Sequence, residues 1–301
     1  MTEIPISKAQ FERDGYLRIP GVFNADEVRG FRDFLVGHVP KTDDATALDV
    51  DLLSRPETEA FINDGRVLGV ARALLGDTPV YFGDSSAMRY PKTAAVSTFH
   101  KDNADRHDYA APDWQEDYPL IRFGVYLQDH VRQGGGLMVR AGSHRSVARS
   151  RLHEVFREEV SGWLNGKTRY VFAAAGDLIV WNMRLTHAGM GRFLKGPLKR
   201  PLTERNQRFV PEFMQATVGE DRLAMFASFG KEHPLFDRYL RSLKLRKYMV
   251  EMWRTSAPGQ AAIDRLEANG GRYLDMSADV EAALAAGEAI GMNDRWTALP
   301  Y

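Results

Sequence analysis

The spacing of hydrophobic residues changes twice along this chain, and the changes divide it into three parts. In the first part, residues 8–19 predict a short helix, a glycine and a strand. The capping signal Asn24-Ala-Asp-Glu27 then predicts a helix, and a second helix is predicted over 66–75. The inward faces of these two helices would be Val28, Phe31, Phe34 and Leu35 in the first, and Val67, Val70, Ala71 and Leu74 in the second.

From Val80 onwards, short hydrophobic runs alternate with turn signals that contain Gly and Pro. Such a pattern favours a sandwich or barrel over a parallel sheet. After Gly230 the helical spacing returns, with helices predicted over 233–254 and 278–287. The predicted strands of the middle part are 80–82, 87–90, 94–100, 121–128, 136–140, 168–173, 177–182, 208–217 and 222–229.

Composition narrows the classes of protein to consider. Lys+Arg 40 balances Asp+Glu 40 among 301 residues, so net charge does not support bulk binding of nucleic acid or of an anionic membrane. The absence of Cys excludes disulfides, thiolate metal sites and a Cys nucleophile. No apolar run approaches the roughly 20 residues that cross a bilayer, and the N-terminus lacks a secretory pattern. We therefore expect a cytoplasmic protein that acts on a small molecule.

The triplet His100-Lys101-Asp102 is the most informative chemical feature of the sequence. On an extended segment, side chains two residues apart point to the same side, so His100 and Asp102 can converge on one ion while Lys101 points away. Two imidazoles and one carboxylate form the triad of non-heme Fe(II) oxygenases. Taken alone, the triplet is more often a solvated surface histidine beside an acid.

A third ligand is predicted at His187. The turn Gly176-Asp177 leads into the apolar strand 178–182, and His187 follows shortly after its end. The alternative is a histidine that only caps a strand. His144 is a weaker candidate, because a hydrogen-bonded structural histidine is more common in a turn such as Ala141-Gly-Ser-His-Arg145.

Five segments in order resemble the phytanoyl-CoA dioxygenase family of Fe(II)- and 2-oxoglutarate-dependent oxygenases. The resemblance covers roughly residues 8–229, with Ala141 at a position where the family usually has Pro. The segments are the opening 11–23, the Phe99-His-Lys-Asp102 pair, the strand-turn-strand that ends at Arg145, the Gly176-Asp177 turn, and Thr186-His187.

The resemblance implies a mainly β fold, a double-stranded β-helix (jelly-roll) core with flanking helices. It implies Fe(II) held by His100, Asp102 and His187, with 2-oxoglutarate and O2 as co-substrates and ascorbate as a candidate reductant. The carboxylate of Asp102 favours hydroxylation, desaturation or ring chemistry over halogenation. We expect an oxygenase domain over 1–230 and a helical extension over 231–301 that packs on it.

The distal carboxylate of 2-oxoglutarate needs a cation, preferably Arg. In the family this Arg begins the last core strand, and Arg222 opens such a strand here. Arg222 lies farther beyond His187 than is usual, so Arg192 is its rival. Thr98, Tyr126 and Asn182 are further candidates for the co-substrate site, and Arg89, Asn103, Tyr126 and Asn182 are candidates for the substrate pocket.

Two basic segments have open interpretations. Residues 191–210 are predicted to be an inserted loop, either simply solvated or a lid that attracts an anionic substrate. The helix 233–254 would pack on the barrel or on a second subunit, or lie on a membrane surface. Two other classes of function stay open: a cupin-type metalloenzyme that does not use 2-oxoglutarate, and a non-catalytic binding barrel.

Overall fold

The elements of the structure, a computed structural model, follow the three parts that the hydrophobic pattern predicts. The structure describes residues 6–43, 45–48, 50–92, 99–105, 110–130, 136–145, 168–189, 193–196, 209–216 and 220–293. Its helices are α1 (Lys8–Asp14), α2 (Ala25–His38), α3 (Ala60–Asn63), α4 (Gly65–Leu75), α5 (Pro234–Lys244), α6 (Lys247–Thr255), α7 (Gln260–Ala268) and α8 (Ser277–Ala285). Its strands are β1 (Tyr16–Ile19), β2 (Thr46–Leu48), β3 (Val80–Tyr90), β4 (Leu120–Tyr126), β5 (Leu137–Arg140), β6 (Thr168–Val171), β7 (Leu178–Asn182), β8 (His187–Gly189), β9 (Phe193–Leu194), β10 (Gln215–Ala216), β11 (Arg222–Gly230) and β12 (Arg272–Tyr273).

The described strands form a large sheet of seven strands, a smaller one of three and a separate pair. The large sheet has the order β1-β7-β4-β11-β3-β12, with β2 also paired to β3. The smaller sheet has the order β6-β5-β8, and β9 pairs with β10. These pairings are antiparallel except for β12 beside β3. Strands that alternate between two antiparallel sheets are the predicted jelly roll.

The two faces of the large sheet have different surroundings. On β4, Ile121, Phe123 and Val125 join the hydrophobic cluster that also contains the buried faces of α2 and α4. Tyr126, on the opposite face, belongs to a separate cluster inside the barrel. Because side chains alternate along a strand, Arg122 shares the inner face with Tyr126. The inner face therefore mixes aromatic and charged residues.

The N-terminal predictions are confirmed. Asn24 and Glu27 form a capping box at the start of α2, and Gly15 ends α1 with a left-handed φ of 83°. The predicted inward residues are buried in both helices: Val28, Phe31, Phe34, Leu35, Val67, Val70, Ala71 and Leu74.

The prediction of one continuous helix over 233–254 is wrong. The segment forms α5 and α6, separated at Leu245 and Arg246, and Arg246 has an extended conformation (φ −91°, ψ 119°). The C-terminal segment satisfies backbone groups at this break, since Asn293 N–H donates to Leu245 O and Lys247 N–H donates to Asn293 O. Buried residues of both helices pack against Phe82 inside the barrel.

Other predictions need smaller corrections. Within the described residues 209–216 of the strand predicted over 208–217, only β10 is extended in a sheet, because residues 212–214 form a 3-10 turn. The strands predicted over 80–82 and 87–90 form one strand, β3. Most of the basic segment 191–210 lies outside the described residues. Within the described part of the chain, no helix has the length and apolar character to cross a membrane.

Candidate metal and co-substrate site

The segment that contains His100 and Asp102 is held against β8 by backbone hydrogen bonds. His100 N–H donates to His187 O and His187 N–H donates to His100 O, both at 2.9 Å. Asp102 N–H donates to Met183 O at 2.8 Å. Lys101 points to the opposite side, as predicted, and its ammonium donates to Arg184 O at 3.2 Å in a buried environment.

The three predicted ligands meet at one point. His100 Nε2 lies 3.7 Å from one oxygen of Asp102, and His187 Nε2 lies 3.5 Å from the other. One ligand atom from each residue lies within 4.8 Å of the other two. Residues that are distant in the sequence thus present two imidazole nitrogens and a carboxylate to a common centre.

His187 is prepared to act as a ligand through its Nε2 atom. Its Nδ1 lies 3.0 Å from Leu185 O, and a carbonyl can only accept, so Nδ1 carries the proton and Nε2 has a lone pair. Burial lowers the pKa of His187 to about 4, despite the opposing effect of the Asp102 carboxylate. The ring is therefore neutral at pH 7, as metal binding requires.

Asp102 is held in its anionic form. Burial alone would raise its pKa, but the electrostatic effects of His187, Arg122 and His100 and a hydrogen bond from Trp181 together lower the pKa. The Trp181 Nε1–H donates to Asp102 Oδ2 at 3.3 Å. Such contacts outside the ligand set fix the orientation of a metal-binding carboxylate.

The donor set fits a divalent transition metal. Two neutral imidazoles and one carboxylate on one side of a centre leave the other coordination positions open, which suits non-heme Fe(II). His100, the most exposed of the three side chains at 39 %, marks the side from which small molecules can enter.

The guanidinium of Arg222, which begins β11, lies against Gly189 of β8, close to the metal ligand His187. A Cβ built on Gly189 would lie 2.7 Å from a guanidinium nitrogen of Arg222, so the guanidinium rests directly on this glycine. Since Gly189 follows His187 by two residues on one strand, both face the same side, roughly 6–7 Å apart. The guanidinium also stacks on the Tyr90 ring at 3.8 Å.

Tyr126 lies near Arg222. It is buried on the inner face, where it pairs in register with Ala224, two residues from Arg222. Burial raises the pKa of Tyr126, and the positive charge of Arg222 partly offsets this. The phenol therefore stays protonated at pH 7 and can donate a hydrogen bond.

The other described sequence candidates have hydrogen-bond or ionic partners of their own. Asn182 Oδ1 accepts from the backbone N–H of Arg184 at 3.0 Å and closes the turn that leads to His187. Arg89 pairs with Asp221 at 3.0 Å, and the Asn103 amide donates to the buried Asp113 at 2.9 Å. Thr98 and Arg192 lie outside the described residues.

His144 has the structural role that its turn suggested. Its ring packs against Gly15 at the end of α1, and Nε2 lies 3.1 Å from Glu12 O. Since that oxygen only accepts, Nε2 carries the proton.

Sequence reasoning missed three features of the site. Trp181 positions Asp102, Gly189 leaves room for Arg222, and Arg122 lies close enough to Asp102 to affect its pKa. Trp181 could have been found from its alternation with Ile179 on the inner face of β7. The sequence has no signal for the other two, because their partners lie on different strands.

The fold and the triad define a jelly-roll protein with a metal centre of the two-histidine, one-carboxylate type. The family profile described as phytanoyl-CoA dioxygenase (PhyH) matches residues 11–191, which is more than half of the chain. The chain belongs to this family of Fe(II)- and 2-oxoglutarate-dependent oxygenases, and the resemblance drawn from the sequence is confirmed.

Curated relatives and solved structures agree with this assignment. The chain is 29% identical to the ectoine dioxygenase of Stutzerimonas stutzeri (strain A1501) over 154 residues, 46% of this chain and 50% of that protein. It is 29% identical over 164 residues to the ectoine dioxygenase of Sphingopyxis alaskensis, 48% of this chain and 52% of that protein. The chain spans about half the length of the curated relatives it matches.

Two solved structures share the fold. HygX from Streptomyces hygroscopicus, with nickel and 2-oxoglutarate bound, has a TM-score of 0.52 at 21% identity, over 75% of this chain and 87% of that one. EctD from S. alaskensis, with 2-oxoglutarate and 5-hydroxyectoine, has a TM-score of 0.51 at 18% identity, over 76% of this chain and 78% of that one. The predicted jelly-roll fold is confirmed.

Proposed function

We propose that this protein is an Fe(II)- and 2-oxoglutarate-dependent dioxygenase that hydroxylates an unactivated C–H bond of a small-molecule metabolite. The observation that carries the proposal is the combination of the His100, Asp102 and His187 triad with the Arg222 guanidinium, which packs on Gly189, two residues beyond His187 on β8. With Fe(II), 2-oxoglutarate and O2 bound, such a centre supplies the oxidant for C–H hydroxylation and releases succinate and CO2.

Separate residues of this chain would bind the metal and the co-substrate. His100, Asp102 and His187 hold the iron on one side, and Trp181 keeps the carboxylate in place. Arg222 binds the distal carboxylate of 2-oxoglutarate, since a guanidinium matches a carboxylate with two parallel hydrogen bonds. The step from His187 to Gly189 suits a five-carbon diacid whose keto-acid end faces the metal.

Tyr126 would support the same carboxylate. Its buried hydroxyl keeps its proton, so it can donate to an anion near Arg222. The combination of a cation and a neutral donor in a buried site would hold the carboxylate more firmly than the cation alone.

The extent of the catalytic unit is part of the proposal. We take residues 1–230 as the oxygenase domain and 231–301 as an extension that completes it. Support comes from the cluster in which Leu235, Tyr239 and Trp253 of the extension pack with Phe82 and Leu120 of the barrel. A second subunit on the helices of the extension stays a prediction.

An anaerobic absorption titration tests the proposal. Metal-free protein would be titrated with Fe(II) and then with 2-oxoglutarate, and a visible charge-transfer band saturating at one equivalent is expected. The variant Arg222→Gln should weaken the band at a given 2-oxoglutarate concentration, because a buried charged partner of the carboxylate is lost. Arg89→Gln is the matched control, since Arg89 is paired with Asp221.

Each result separates the candidate functions. A wild-type protein that binds iron without producing the band would exclude 2-oxoglutarate and favour a cupin-type metalloenzyme. A protein that binds no iron would favour a non-catalytic barrel. A band that is unchanged in Arg222→Gln would move the carboxylate site to Arg192.

A further inference from the structure

A strip of partly exposed residues crosses the otherwise buried inner face of the large sheet. Arg122 is the one residue of β4 that is not fully buried. Phe226 is the one such residue of β11. They contact each other, with the guanidinium 5.9 Å from the ring centre, and Ser86 on β3 lies beside Phe226 in register. Solvent therefore reaches the centre of the barrel along this strip.

The strip borders the metal triad. Arg122 lies opposite Trp181 in the pairing of β4 with β7, and Trp181 donates to Asp102. The Trp181 ring lies 5.2 Å from the His187 ring and 6.1 Å from that of Phe226. A molecule that lies along the strip would therefore face the open side of the metal centre.

A buried acid holds Arg122 in position. The guanidinium donates to Asp84 Oδ2 and to Ser228 Oγ, both at 3.2 Å. The Tyr239 hydroxyl of α5 donates to the same Asp84 oxygen at 3.2 Å. The charge of Asp84 is thus matched by Arg122, and the pair alone leaves no net charge for a ligand.

A second cation, Arg246, comes from the break between α5 and α6. Among the described residues, no carboxylate lies within 4.0 Å of its guanidinium, which donates to the Tyr248 hydroxyl at 3.4 Å. Burial alone would lower the pKa of Arg246, but Tyr248, Tyr239 and Asp84 raise it, so the group remains cationic. The cluster of Arg122, Asp84 and Arg246 therefore carries one positive charge in excess.

This cluster is separate from the Arg222 site. Arg222 begins β11, and Ser228, which contacts Arg122, lies six residues further along it, which is roughly 20 Å along a strand. Phe226, and with it the metal triad, lies between them. A co-substrate anchored on Arg222 could not occupy the cluster at Arg122 and Arg246 at the same time.

We propose that Arg246 and Tyr248, with Arg122 behind them, form the subsite that binds an anionic group of the primary substrate, a carboxylate or a phosphate. The inference rests on the proposed oxygenase function and adds the substrate class to it. The break between α5 and α6 would then serve substrate binding, because a continuous helix would not present Arg246 at an extended position. The C–H bond to be hydroxylated would lie between this anchor and the metal.

Simple anions test the subsite in the iron- and 2-oxoglutarate-loaded protein under anaerobic conditions. The melting temperature would be measured with acetate or with inorganic phosphate, each against chloride at equal ionic strength. A ligand that binds only the native state raises the melting temperature with its concentration. We expect a rise in the wild type, and the more effective anion identifies a carboxylate or a phosphate as the natural group.

Three variants assign the effect to Arg246. Arg246→Gln should weaken the apparent affinity for the anion at least about 10-fold, since a cation worth more than about 1.4 kcal/mol is lost. Arg241→Gln, on the exposed side of α5, should behave like the wild type. Arg246→Lys keeps the charge and should retain part of the response, which separates loss of charge from misfolding.

The absorption band of the same samples distinguishes the two proposals. If Arg246→Gln keeps the band and loses the anion response, both proposals are supported. If the wild type shows the band but no response beyond chloride, or if Arg246→Gln responds like Arg241→Gln, the subsite is refuted and the oxygenase stands. An Arg246-dependent response without a band would refute the oxygenase and leave an anion site.

Discussion

The guanidinium of Arg222 rests on the backbone of Gly189, where a Cβ would lie 2.7 Å from one nitrogen and 2.8 Å from the other. Real Cβ atoms do not approach so closely, so this position on β8 admits only glycine while Arg222 keeps its place. The Tyr90 ring also contacts the guanidinium, with the ring centre 3.8 Å from the guanidinium carbon. Gly189 and Tyr90 therefore both fix the position of the Arg222 guanidinium, and a substitution of either residue would move it.

The first prediction follows from this contact. Gly189→Ala should displace the Arg222 guanidinium without removing any charge, and we expect the affinity for 2-oxoglutarate to fall about 10-fold or more. The measurement is the 2-oxoglutarate dependence of the anaerobic absorption band. Gly30→Ala is the matched control, because no atom lies within 4 Å of the added methyl group, and it should stabilise α2 slightly. Equal affinities in the two variants would contradict the assignment of Arg222.

The second prediction concerns the indole that orients the carboxylate of the triad. Trp181→Phe keeps an aromatic ring and removes the hydrogen bond to Asp102, so the affinity for Fe(II) should fall by about 10-fold. Trp253→Phe loses a comparable hydrogen bond, to Phe82 O at 2.8 Å, away from the metal. Both variants should lose about 1 kcal/mol of unfolding free energy, but only Trp181→Phe should bind iron more weakly in a competition with a chelator. A similar loss of iron affinity in both would point to a general effect on folding.

The sequence predicts those features of the fold and the site that depend on residues close together in the chain. His100 and Asp102 were predicted as ligands because alternation on one extended segment places them on one side, and the structure brings them together with His187. The caps of α1 and α2 also lie within a few residues, so Gly15 and Asn24 were sufficient to predict them.

The sequence fails where the decisive partner is distant. No Gly or Pro marks the break at Arg246, which depends on backbone pairing with Asn293 and on packing against the barrel. Likewise, the sequence predicted separate strands over 80–82 and 87–90, whereas β3 is continuous, with Gly83 inside it at a φ of 78° and packed against Trp253. In both cases tertiary contacts override a local signal.

The third prediction uses the buried neutral ring of His144. Burial, followed by the positive charges of Arg184, Arg145 and Lys101, lowers its pKa to about 4, against the opposing hydrogen bond to Glu12 O. Because the folded pKa lies below the ordinary value of 6.5, the stability that this group contributes is fully present above pH 6.5. It is lost as the pH falls to about 4, by about 3 kcal/mol at most.

Denaturant unfolding of the metal-free protein between pH 7 and pH 4 measures this loss. His144→Gln can still donate to Glu12 O but does not titrate, so its unfolding free energy should fall less steeply over this range. His187 titrates in the same window in both proteins, and the difference between the two curves removes its contribution. If the unfolding free energies of the two proteins changed with pH in parallel, the folded protein would not lower the pKa of His144.

The fourth prediction concerns Asp51, a buried group that lowers the unfolding free energy as the pH rises, whereas His144 lowers it as the pH falls. Asp51 is buried beneath β3, where it accepts hydrogen bonds from the Tyr81 hydroxyl and from Leu53 N–H at 2.9 Å. Burial raises the pKa of Asp51 to about 6, and these hydrogen bonds only partly oppose the rise. The folded pKa therefore exceeds the ordinary value of 3.8, so the group favours folding most below pH 3.8. Its ionisation costs about 3 kcal/mol of unfolding free energy, and this loss builds up as the pH rises from 3.8 to about 6 and is complete above that.

Asp51→Asn tests this cost, because its side-chain oxygen can still accept from Tyr81 and Leu53 while the group no longer ionises. We expect the variant to be more stable than the wild type at pH 8, with the difference shrinking as the pH falls to 5. Asp77→Asn, at an exposed turn, should leave the unfolding free energy within about 0.5 kcal/mol of the wild type at both pH values. An Asp51→Asn protein that is less stable than the wild type by the same amount at pH 5 and pH 8 would mean that the carboxylate is ionised at no cost, and that water or a cation reaches it beneath β3.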